Sequence, residues 1–269
     1  MTGNTRILNV SDFAKMKSHG EKIAMLTAYD YPTAALLDES GADMILVGDS
    51  LGMVVQGHET TLSVTLDAMI YHAEMVARAC RHAMVVVDIP FPFCQLGPEE
   101  AVRAAARIMK ETKAGAVKIE GGAARAHTVR AVVDAGIPVM GHCGLMPQSV
   151  RRLGGYKVQR EEKQLQDDTN AVVEAGVFAV VLECVGASLA RAVTAACPVP
   201  TIGIGAGNGC DGQVLVFHDF LHLATRPRNE HPRHVRVYAD LAATVEQAAR
   251  DYIADVKSGV FPGDDESFH

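Results

Sequence analysis

The sequence predicts a closed (β/α)8 barrel, and three observations support that fold class. Apolar runs of about five residues alternate with helical patterns along the whole 269-residue chain, and runs this apolar are typical of parallel strands buried on both faces. Four helical patterns end at a glycine just before the next apolar run, as expected after a helix C-terminus. Counting the repeats gives eight strands, and a barrel of this length commonly forms one domain. The four glycines are Gly41, Gly115, Gly136 and Gly176.

The elements follow one another in a regular order. A short helix at 11–18, capped by Ser11, is expected to close the amino-terminal end of the barrel. The predicted strands cover 23–28, 44–48, 85–89, 116–120, 138–142, 179–183, 200–204 and 214–218. The predicted helices cover 32–40, 65–80, 98–113, 124–135, 161–176, 187–196 and 237–257. The stretch after the seventh strand is too short for a full helix, so that unit is expected to be abbreviated.

We expect residues 1–269 to form a single barrel domain. An open, doubly wound sheet is the structural alternative, and the number of strands separates the two folds. The glycine-rich run at 203–209 predicts a tight loop, because it lacks the G-x-G-x-x-G order and opens no clear helix. The loops at 143–160 and 222–236 are long enough to indicate functional lids or assembly surfaces.

The composition restricts the partners and the compartment. A formal net charge of -7 and a pI of about 5.9 argue against a nucleic-acid surface, so the expected partner is a small molecule. The six cysteines are scattered without a C-x-x-C pair, which indicates reduced, mostly buried thiols. No signal-peptide pattern and no apolar run of about 18 residues is present, so we expect a cytoplasmic protein that does not bind membranes.

Four of the apolar runs end in a carboxylate: Asp49, Asp88, Glu120 and Glu183. The carboxyl ends of parallel strands meet at one rim of a barrel, so these side chains should gather there. Carboxylates that gather repel one another unless a positive charge lies between them. The pattern therefore predicts a divalent cation together with at least one acid or base, and Glu183 is the candidate general base. Hard oxygen ligands favour Mg²⁺, which could polarise the carbonyl of a 2-oxo acid.

Three other residues stand beside these carboxylates. Ser50 follows Asp49, and a loop Asp-Ser pair is either catalytic or only a helix cap. Lys118 lies two residues before Glu120, hence on the same strand face, and it either balances the charge of a substrate or forms a buried salt bridge. His142, at the end of the fifth strand, could orient substrate, donate to an oxyanion or bind metal, and we interpret it as a neighbour of the substrate.

Most of these residues lie in a set of motifs spread over nearly the whole chain. The motifs are LTAYD at 26–30, VGDSLG at 47–52, VDIPF at 87–91, VKIEGG at 117–122, GGYK at 154–157, LEC at 182–184, GIGAGN at 203–208, SGVFPG at 258–263 and SFH at 267–269. In these motifs the chain resembles the ketopantoate hydroxymethyltransferase family, within the group of barrels that includes phosphoenolpyruvate mutase and isocitrate lyase.

The resemblance implies an aldol-type one-carbon transfer from 5,10-methylenetetrahydrofolate to 3-methyl-2-oxobutanoate, which gives 2-dehydropantoate for pantothenate and coenzyme A synthesis. It implies Glu183 as the proton acceptor and a homo-oligomer, in this family often a decamer. The implied Mg²⁺ ligands are Asp49, Asp88 and Glu120, and the implied substrate contacts are Asp49, Ser50, Asp88 and Lys118.

Three other functions remain open from the sequence. The first is a related Mg²⁺-dependent oxo-acid lyase or aldolase, although the cysteine-containing lid motif common in those enzymes is not found. The second is a phosphate-binding barrel that uses the loop at 203–209. The third is a non-catalytic homologue that binds an oxo acid, against which Glu183 and Lys118 argue.

Overall fold

A computed structural model describes residues 6–153, 161–223 and 232–269. Eight parallel strands form a closed barrel in chain order, and β8 pairs with β1 to complete it. The strands are β1 Ile23–Thr27, β2 Met44–Val47, β3 Met84–Asp88, β4 Ala116–Glu120, β5 Val139–Gly144, β6 Ala179–Glu183, β7 Thr201–Ile204 and β8 Gly212–Leu215. The predicted fold class is confirmed.

Helices follow the strands through the described residues. The longer ones are close to the predicted ranges, whereas the four-residue helices and the short 3₁₀ turns were not predicted. The α-helices are α1 Val10–His19, α2 Tyr31–Glu39, α3 Leu51–Val54, α4 Leu66–Ala79, α5 Pro98–Glu111, α6 Ala126–Asp134, α7 Val150–Leu153, α8 Glu162–Glu174, α9 Ala187–Ala196, α10 Phe217–Phe220 and α11 Leu241–Ser258.

Helix α1 closes the amino-terminal end of the barrel, as predicted. Phe13 is fully buried, lies 6.3 Å from Phe178 between ring centroids, and belongs to the hydrophobic cluster inside the barrel. The predicted cap is wrong: Asn9 caps α1, and it forms a capping box with Asp12. The strand residues of the cluster are Ile23, Met25, Met44, Leu46, Met84, Val86, Ala116, Met140, Ala179, Val181, Ile202 and Val214.

The eighth strand differs from its predicted range of 214–218. It begins two residues earlier, at Gly212, which aligns with Ile23 on β1 and with Ile202 on β7. A side chain at Gly212 would meet the carbonyl oxygen of Ile23, so the close approach of β1 excludes one. Pairing with both neighbours, which a local pattern does not contain, sets this boundary.

The chain divides into two compact units, Met1–Val216 and Phe217–His269. The first contains all eight strands of the barrel. The second contains α11, whose first turn is capped by Asp240. That the whole chain forms a single domain stays a prediction. No described helix is both long and apolar enough to cross a membrane. The GGYK motif at 154–157 lies outside the described residues, as do parts of the two long loops.

Candidate active site at the carboxyl ends of the strands

The carboxyl ends of β3 to β6 bring the predicted polar residues side by side. In the strand register, Asp88 aligns with Lys118, and Glu120 aligns with His142. Glu183 aligns with Gly144 at the end of β5. Asp88, Lys118, Glu120 and His142 are each at least 94% buried, because their side chains lie inside the barrel mouth rather than on its outer face.

Among the described residues, Lys118 is the only lysine that lies on a strand of the barrel. Its side chain contacts two neighbouring side chains. Its Nζ lies 2.8 Å from Asp88 Oδ1 and 3.1 Å from His142 Nδ1. Burial lowers the pKa of Lys118, but the charges of Asp88, Glu120 and Asp49 outweigh it, and the net pKa is raised. Lys118 is therefore a permanent cation among these carboxylates.

His142 joins Lys118 to Glu183. Its Nε2 lies 3.2 Å from Glu183 Oε2, while its Nδ1 faces Lys118 and lies 3.8 Å from Glu120 Oε1. Burial, followed by the charge of Lys118, lowers the pKa of His142, so the imidazole is neutral at physiological pH. The side chain of Glu183 is 19% exposed, far more than that of Asp88 or Glu120, which makes it the accessible carboxylate of the cluster.

Asp49 enters the cluster from the end of β2. Its backbone N–H donates to Asp88 Oδ2 at 3.0 Å, so the two acids lie against each other. Burial, and then repulsion from Asp88, raise the pKa of Asp49 to about 7. Burial and the charge of Asp49 also raise the pKa of Glu120. Without a bound cation, Asp49 and Glu120 therefore stay protonated at pH values at which exposed carboxylates are ionised.

Gln148, which sequence reasoning missed, connects Asp49 to Glu120. Its Nε2 donates to Asp49 Oδ2 at 2.9 Å and to the carbonyl of Ile89 at 3.0 Å, and its backbone N–H donates to Glu120 Oε2 at 3.0 Å. Gln148 is 6% exposed and lies in a 3₁₀ turn after β5. The only signal in the sequence was the length of the loop at 143–160, which indicated a functional segment.

Ser50 is held by Tyr29, a second residue that sequence reasoning did not select. Ser50 Oγ and Tyr29 Oη lie 2.8 Å apart. Gly48 allows this arrangement, because a side chain there would come within 2.8 Å of Ser50 Oγ and 3.4 Å of Asp88 Oδ2. Ser50 precedes α3 without making a side-chain cap, so the interpretation of the Asp-Ser pair as a helix cap is not supported.

The oxygen donors of this cluster suit a hard divalent cation. The described residues contain no group of three or more His, Cys, Asp or Glu side chains that is already arranged to hold a metal ion. Asp49, Asp88 and Glu120 offer only carboxylate oxygens, the ligands that Mg²⁺ prefers. One oxygen of each accepts a hydrogen bond from Gln148 or from the Asp49 backbone, while Asp88 Oδ1 is buried with no hydrogen bond of regular geometry. These residues fit Mg²⁺ by their chemistry and their excess negative charge.

Fold and site together define a (β/α)8-barrel enzyme with an acid-rich site at its carboxyl rim. A protein-family model described as ketopantoate hydroxymethyltransferase matches residues 7–264. The chain belongs to the ketopantoate hydroxymethyltransferase family, as the sequence motifs predicted.

Curated relatives align with this chain along nearly their full length. Proteins named 3-methyl-2-oxobutanoate hydroxymethyltransferase are 54% identical in Rhodopirellula baltica and 55% identical in Moorella thermoacetica. The first alignment covers 94% of this chain and 93% of the relative, and the second covers 94% of each. A relative of the same name in Syntrophotalea carbinolica is 54% identical, with 96% and 97% covered.

Solved structures share the fold at low sequence identity. A 2,3-dimethylmalate lyase of the PEP mutase/isocitrate lyase superfamily has a TM-score of 0.61 at 16% identity, covering 98% of this chain and 89% of its own. A phosphonopyruvate hydrolase has a TM-score of 0.61 at 11% identity, covering 98% and 92%. At such low sequence identity, these structural similarities show only that the barrel fold is shared.

Proposed function

We propose that the protein transfers a hydroxymethyl unit to 3-methyl-2-oxobutanoate, the activity that its curated relatives are named for. The observation that carries the proposal is the arrangement of Glu183, the most exposed acid of the cluster, against His142 and Lys118. Such an arrangement can remove a proton from a carbon beside an oxo group and balance the charge that develops.

In this proposal Glu183 is the base that takes the proton from C3 of the oxo acid. Its partial exposure leaves it accessible to substrate, and the contact with His142 Nε2 orients it. Lys118 balances the negative charge of the substrate, since the neighbouring carboxylates keep it protonated. Ser50, held by Tyr29, offers a hydroxyl beside Asp49 for a substrate oxygen.

We infer that Mg²⁺ is held by Asp49, Asp88 and Glu120. Their exclusively oxygen donor set and their excess charge over Lys118 support this assignment. Bound there, the ion would supply Lewis-acid polarisation of the oxo group. Gln148 holds Asp49 and Glu120 in place from the loop above them.

The one-carbon donor in this proposal is 5,10-methylenetetrahydrofolate. A new carbon–carbon bond forms between C3 of the oxo acid and the methylene carbon, the methylene–nitrogen bonds break, and water supplies the oxygen of the hydroxyl group. The products are 2-dehydropantoate and tetrahydrofolate. The two nitrogens released from the methylene group each gain a proton: one proton comes from the water, and the other is the one that Glu183 removes from C3, passed on through solvent.

The test follows hydrogen exchange at C3 of 3-methyl-2-oxobutanoate in D₂O by NMR, with Mg²⁺ or with a chelator, before any folate is added. We expect exchange in the wild type with Mg²⁺ and a loss of about 10²- to 10⁴-fold in Glu183→Gln, the usual contribution of a general base. Glu39→Gln is the matched control, because Glu39 is an exposed carboxylate at the end of α2.

Addition of 5,10-methylenetetrahydrofolate then completes the experiment. Formation of 2-dehydropantoate by the wild type supports the proposal. A wild type that gives neither exchange nor product contradicts it and favours a non-catalytic oxo-acid-binding homologue. Exchange or cleavage of an oxo acid without any use of folate would instead place the protein among the related lyases.

We also infer a cytoplasmic homo-oligomer. All six cysteines are free, which suits a reducing compartment. Helix α11 exposes Val245, Tyr252, Ile253 and Val256, each at least 46% accessible, and apolar surface of this kind commonly marks a protein interface. The decamer implied by the family resemblance is tested by light scattering, in which a monomer would contradict the proposal.

A further inference from the structure

Tyr29, which holds Ser50, is itself held from the helical layer around the barrel. His72 Nδ1 lies 2.6 Å from the backbone carbonyl oxygen of Tyr29. His72 belongs to α4, which packs against α2 on the outside of the strands. The hydroxyl of Tyr29 in turn lies 2.8 Å from Ser50 Oγ. Two hydrogen bonds therefore connect an outer helix to a candidate substrate contact at the carboxyl end of β2.

The contact with Tyr29 fixes which ring nitrogen of His72 carries a proton. A backbone carbonyl oxygen only accepts hydrogen bonds, so Nδ1 of His72 is the donor. His72 is half-buried and borders the face that α4 buries through Met69, Ala73 and Val76. Packing of this face holds the imidazole in place, so the donor is fixed relative to the barrel.

The turn that carries Tyr29 is also held on both sides by other hydrogen bonds. The N–H of Ala28 donates to a carbonyl oxygen of β2 at 3.1 Å. The carboxylate of Asp30 accepts a hydrogen bond of 2.8 Å from the first turn of α2, which it caps. These bonds maintain the turn without His72. The bond from His72 therefore acts on the position of Tyr29 more than on the fold.

A small shift of Tyr29 would reach Ser50 directly. The ring of Tyr29 is enclosed, with the residue only 2% exposed, so movement of its backbone moves its hydroxyl as well. Ser50 is half-buried, and its hydroxyl can donate to a substrate oxygen when the Tyr29 hydroxyl donates to it. Misplacement of such a group by about 1 Å can cost about 100-fold in rate.

We propose that His72 is a positioning residue for the oxo-acid site: it holds Tyr29 so that the Tyr29 hydroxyl orients Ser50 toward substrate. The inference rests on the proposed function and deepens it, because it assigns a role in catalysis to a side chain of the outer helical layer. His72 acts through two hydrogen bonds and does not itself contact the substrate.

The experiment is a double-mutant cycle between positions 72 and 50. It measures kcat/KM for hydrogen exchange at C3 of 3-methyl-2-oxobutanoate in D₂O with Mg²⁺. We expect His72→Leu, which removes the donor, to lower kcat/KM by about 10- to 100-fold when Ser50 is present. In the Ser50→Ala background the same substitution should have little further effect, because the hydroxyl that His72 positions is absent. Independent sites would instead give the same loss in both backgrounds, within about twofold.

Two further variants test the hydrogen bond itself. The amide nitrogen of His72→Asn takes nearly the position of the imidazole Nδ1, so this variant should recover most of the lost kcat/KM. The amide nitrogen of His72→Gln takes the position of Nε2 instead, so this variant should recover little. His72→Gln also replaces His72→Leu in the cycle if the leucine variant does not fold.

Glu74→Leu is the matched control. Glu74 is exposed on the same helix, two residues further on, and its partner Arg78 is exposed as well. A leucine introduced on α4 away from Tyr29 should leave kcat/KM at the wild-type value. A circular-dichroism melt of each variant shows whether it is folded.

The outcomes separate the two proposals. An equal loss from His72→Leu in both backgrounds overturns the positioning role, and so does a His72→Asn variant as impaired as His72→Leu. If the wild type still exchanges C3 and forms 2-dehydropantoate in either case, the proposed function stands without it. If the wild type gives neither C3 exchange nor product, the proposed function fails and this inference fails with it.

Discussion

Lys118 Nζ lies 3.1 Å from His142 Nδ1, and this contact sets which ring nitrogen carries the proton. Lys118 is protonated and can only donate, so Nδ1 of the neutral imidazole is the acceptor. The imidazole proton therefore lies on Nε2, which faces Glu183 Oε2 at 3.2 Å. Charge from Asp88 thus holds Lys118, Lys118 fixes the tautomer of His142, and the Nε2–H of His142 faces Glu183 without a hydrogen bond of regular geometry.

Loss of the imidazole should reduce turnover rather than substrate affinity. We expect His142→Leu to lower kcat by up to about 100-fold, since misplacement of a reacting group by about 1 Å has that effect. His142→Gln, whose amide can still donate toward Glu183, should recover part of the rate. Steady-state kinetics make the distinction: a rise in KM for the oxo acid with kcat unchanged would mean that His142 serves substrate binding instead.

Lys118→Met should destabilise the metal-free protein strongly. The substitution leaves Asp88 buried without its cation, and removal of one partner of a buried pair typically costs about 3–5 kcal/mol. Urea unfolding in the presence of a chelator measures the loss. In the Lys118→Met, Asp88→Asn double variant the loss should be smaller than the sum of the two single losses. Additive losses would contradict the pairing.

The stability of the metal-free protein should fall as pH rises from about 4 to about 7 and should then level off. The folded-state pKa of Asp49 is raised to about 7 from an unfolded value of 3.8, so the folded state holds a proton that the unfolded state has released. The corresponding stability is complete below about pH 4 and is lost as pH rises through about 7, by up to about 1.4 kcal/mol per pH unit for one proton. Thermal melts with a chelator measure it.

Asp49→Asn is the control for this pH dependence. Without a titrating side chain at position 49, the decline in melting temperature should be smaller, with the remainder due to Glu120, whose pKa is also raised. For the wild type, Mg²⁺ affinity should rise with pH through about 7, because the bound proton must leave before the cation binds. A Mg²⁺ affinity independent of pH between about 6 and 8 would contradict this prediction.

Gly144→Ala should impair both stability and activity. Gly144 has φ +95°, and a side chain there would collide with the carbonyl oxygen of Glu183. We expect a loss above about 1 kcal/mol and a fall in kcat as Glu183 shifts. The matched control is Gly136→Ala, which has φ +82° but open space around the position. It should show the backbone cost alone, and equal activity losses in both variants would contradict the explanation.

The sequence predicted those parts of the fold and site that depend on local patterns. Five-residue apolar runs that end in Asp88, Glu120 or Glu183 identify both a buried strand and the position of its carboxyl end. The spacing of Lys118 and Glu120 identified their shared face. Gly136 and Gly176 were correctly predicted after helices, with φ of +82° and +98°, whereas Gly115 instead packs closely against Met84.

Residues whose role depends on distant contacts could not be found this way. Gln148 reaches Asp49 across 99 positions of sequence from a loop without periodicity. Tyr29 stands in a motif used for the resemblance, but nothing local indicated its bond to Ser50. The boundaries of β8 likewise depend on pairing with β1 and β7. Side-chain partnership across the barrel is a tertiary property, and a single sequence does not contain it.

Phe13 and the methionine side chains of the hydrophobic cluster fill the amino-terminal end of the barrel, so within the described residues ligands can reach the interior only from the carboxyl end. Two ligands that enter through the same opening must bind in sequence, and the ligand with the deeper site must bind first. The buried carboxylates lie at the strand ends, whereas a cavity of about 530 Å³ is lined by the loops beyond them, with Thr60, Arg125 and Gln148 in its wall. The kinetics of a two-substrate reaction in this barrel should therefore be ordered. The oxo acid should bind before the one-carbon carrier, and the carrier that has given up its one-carbon unit should leave before the product of the oxo acid.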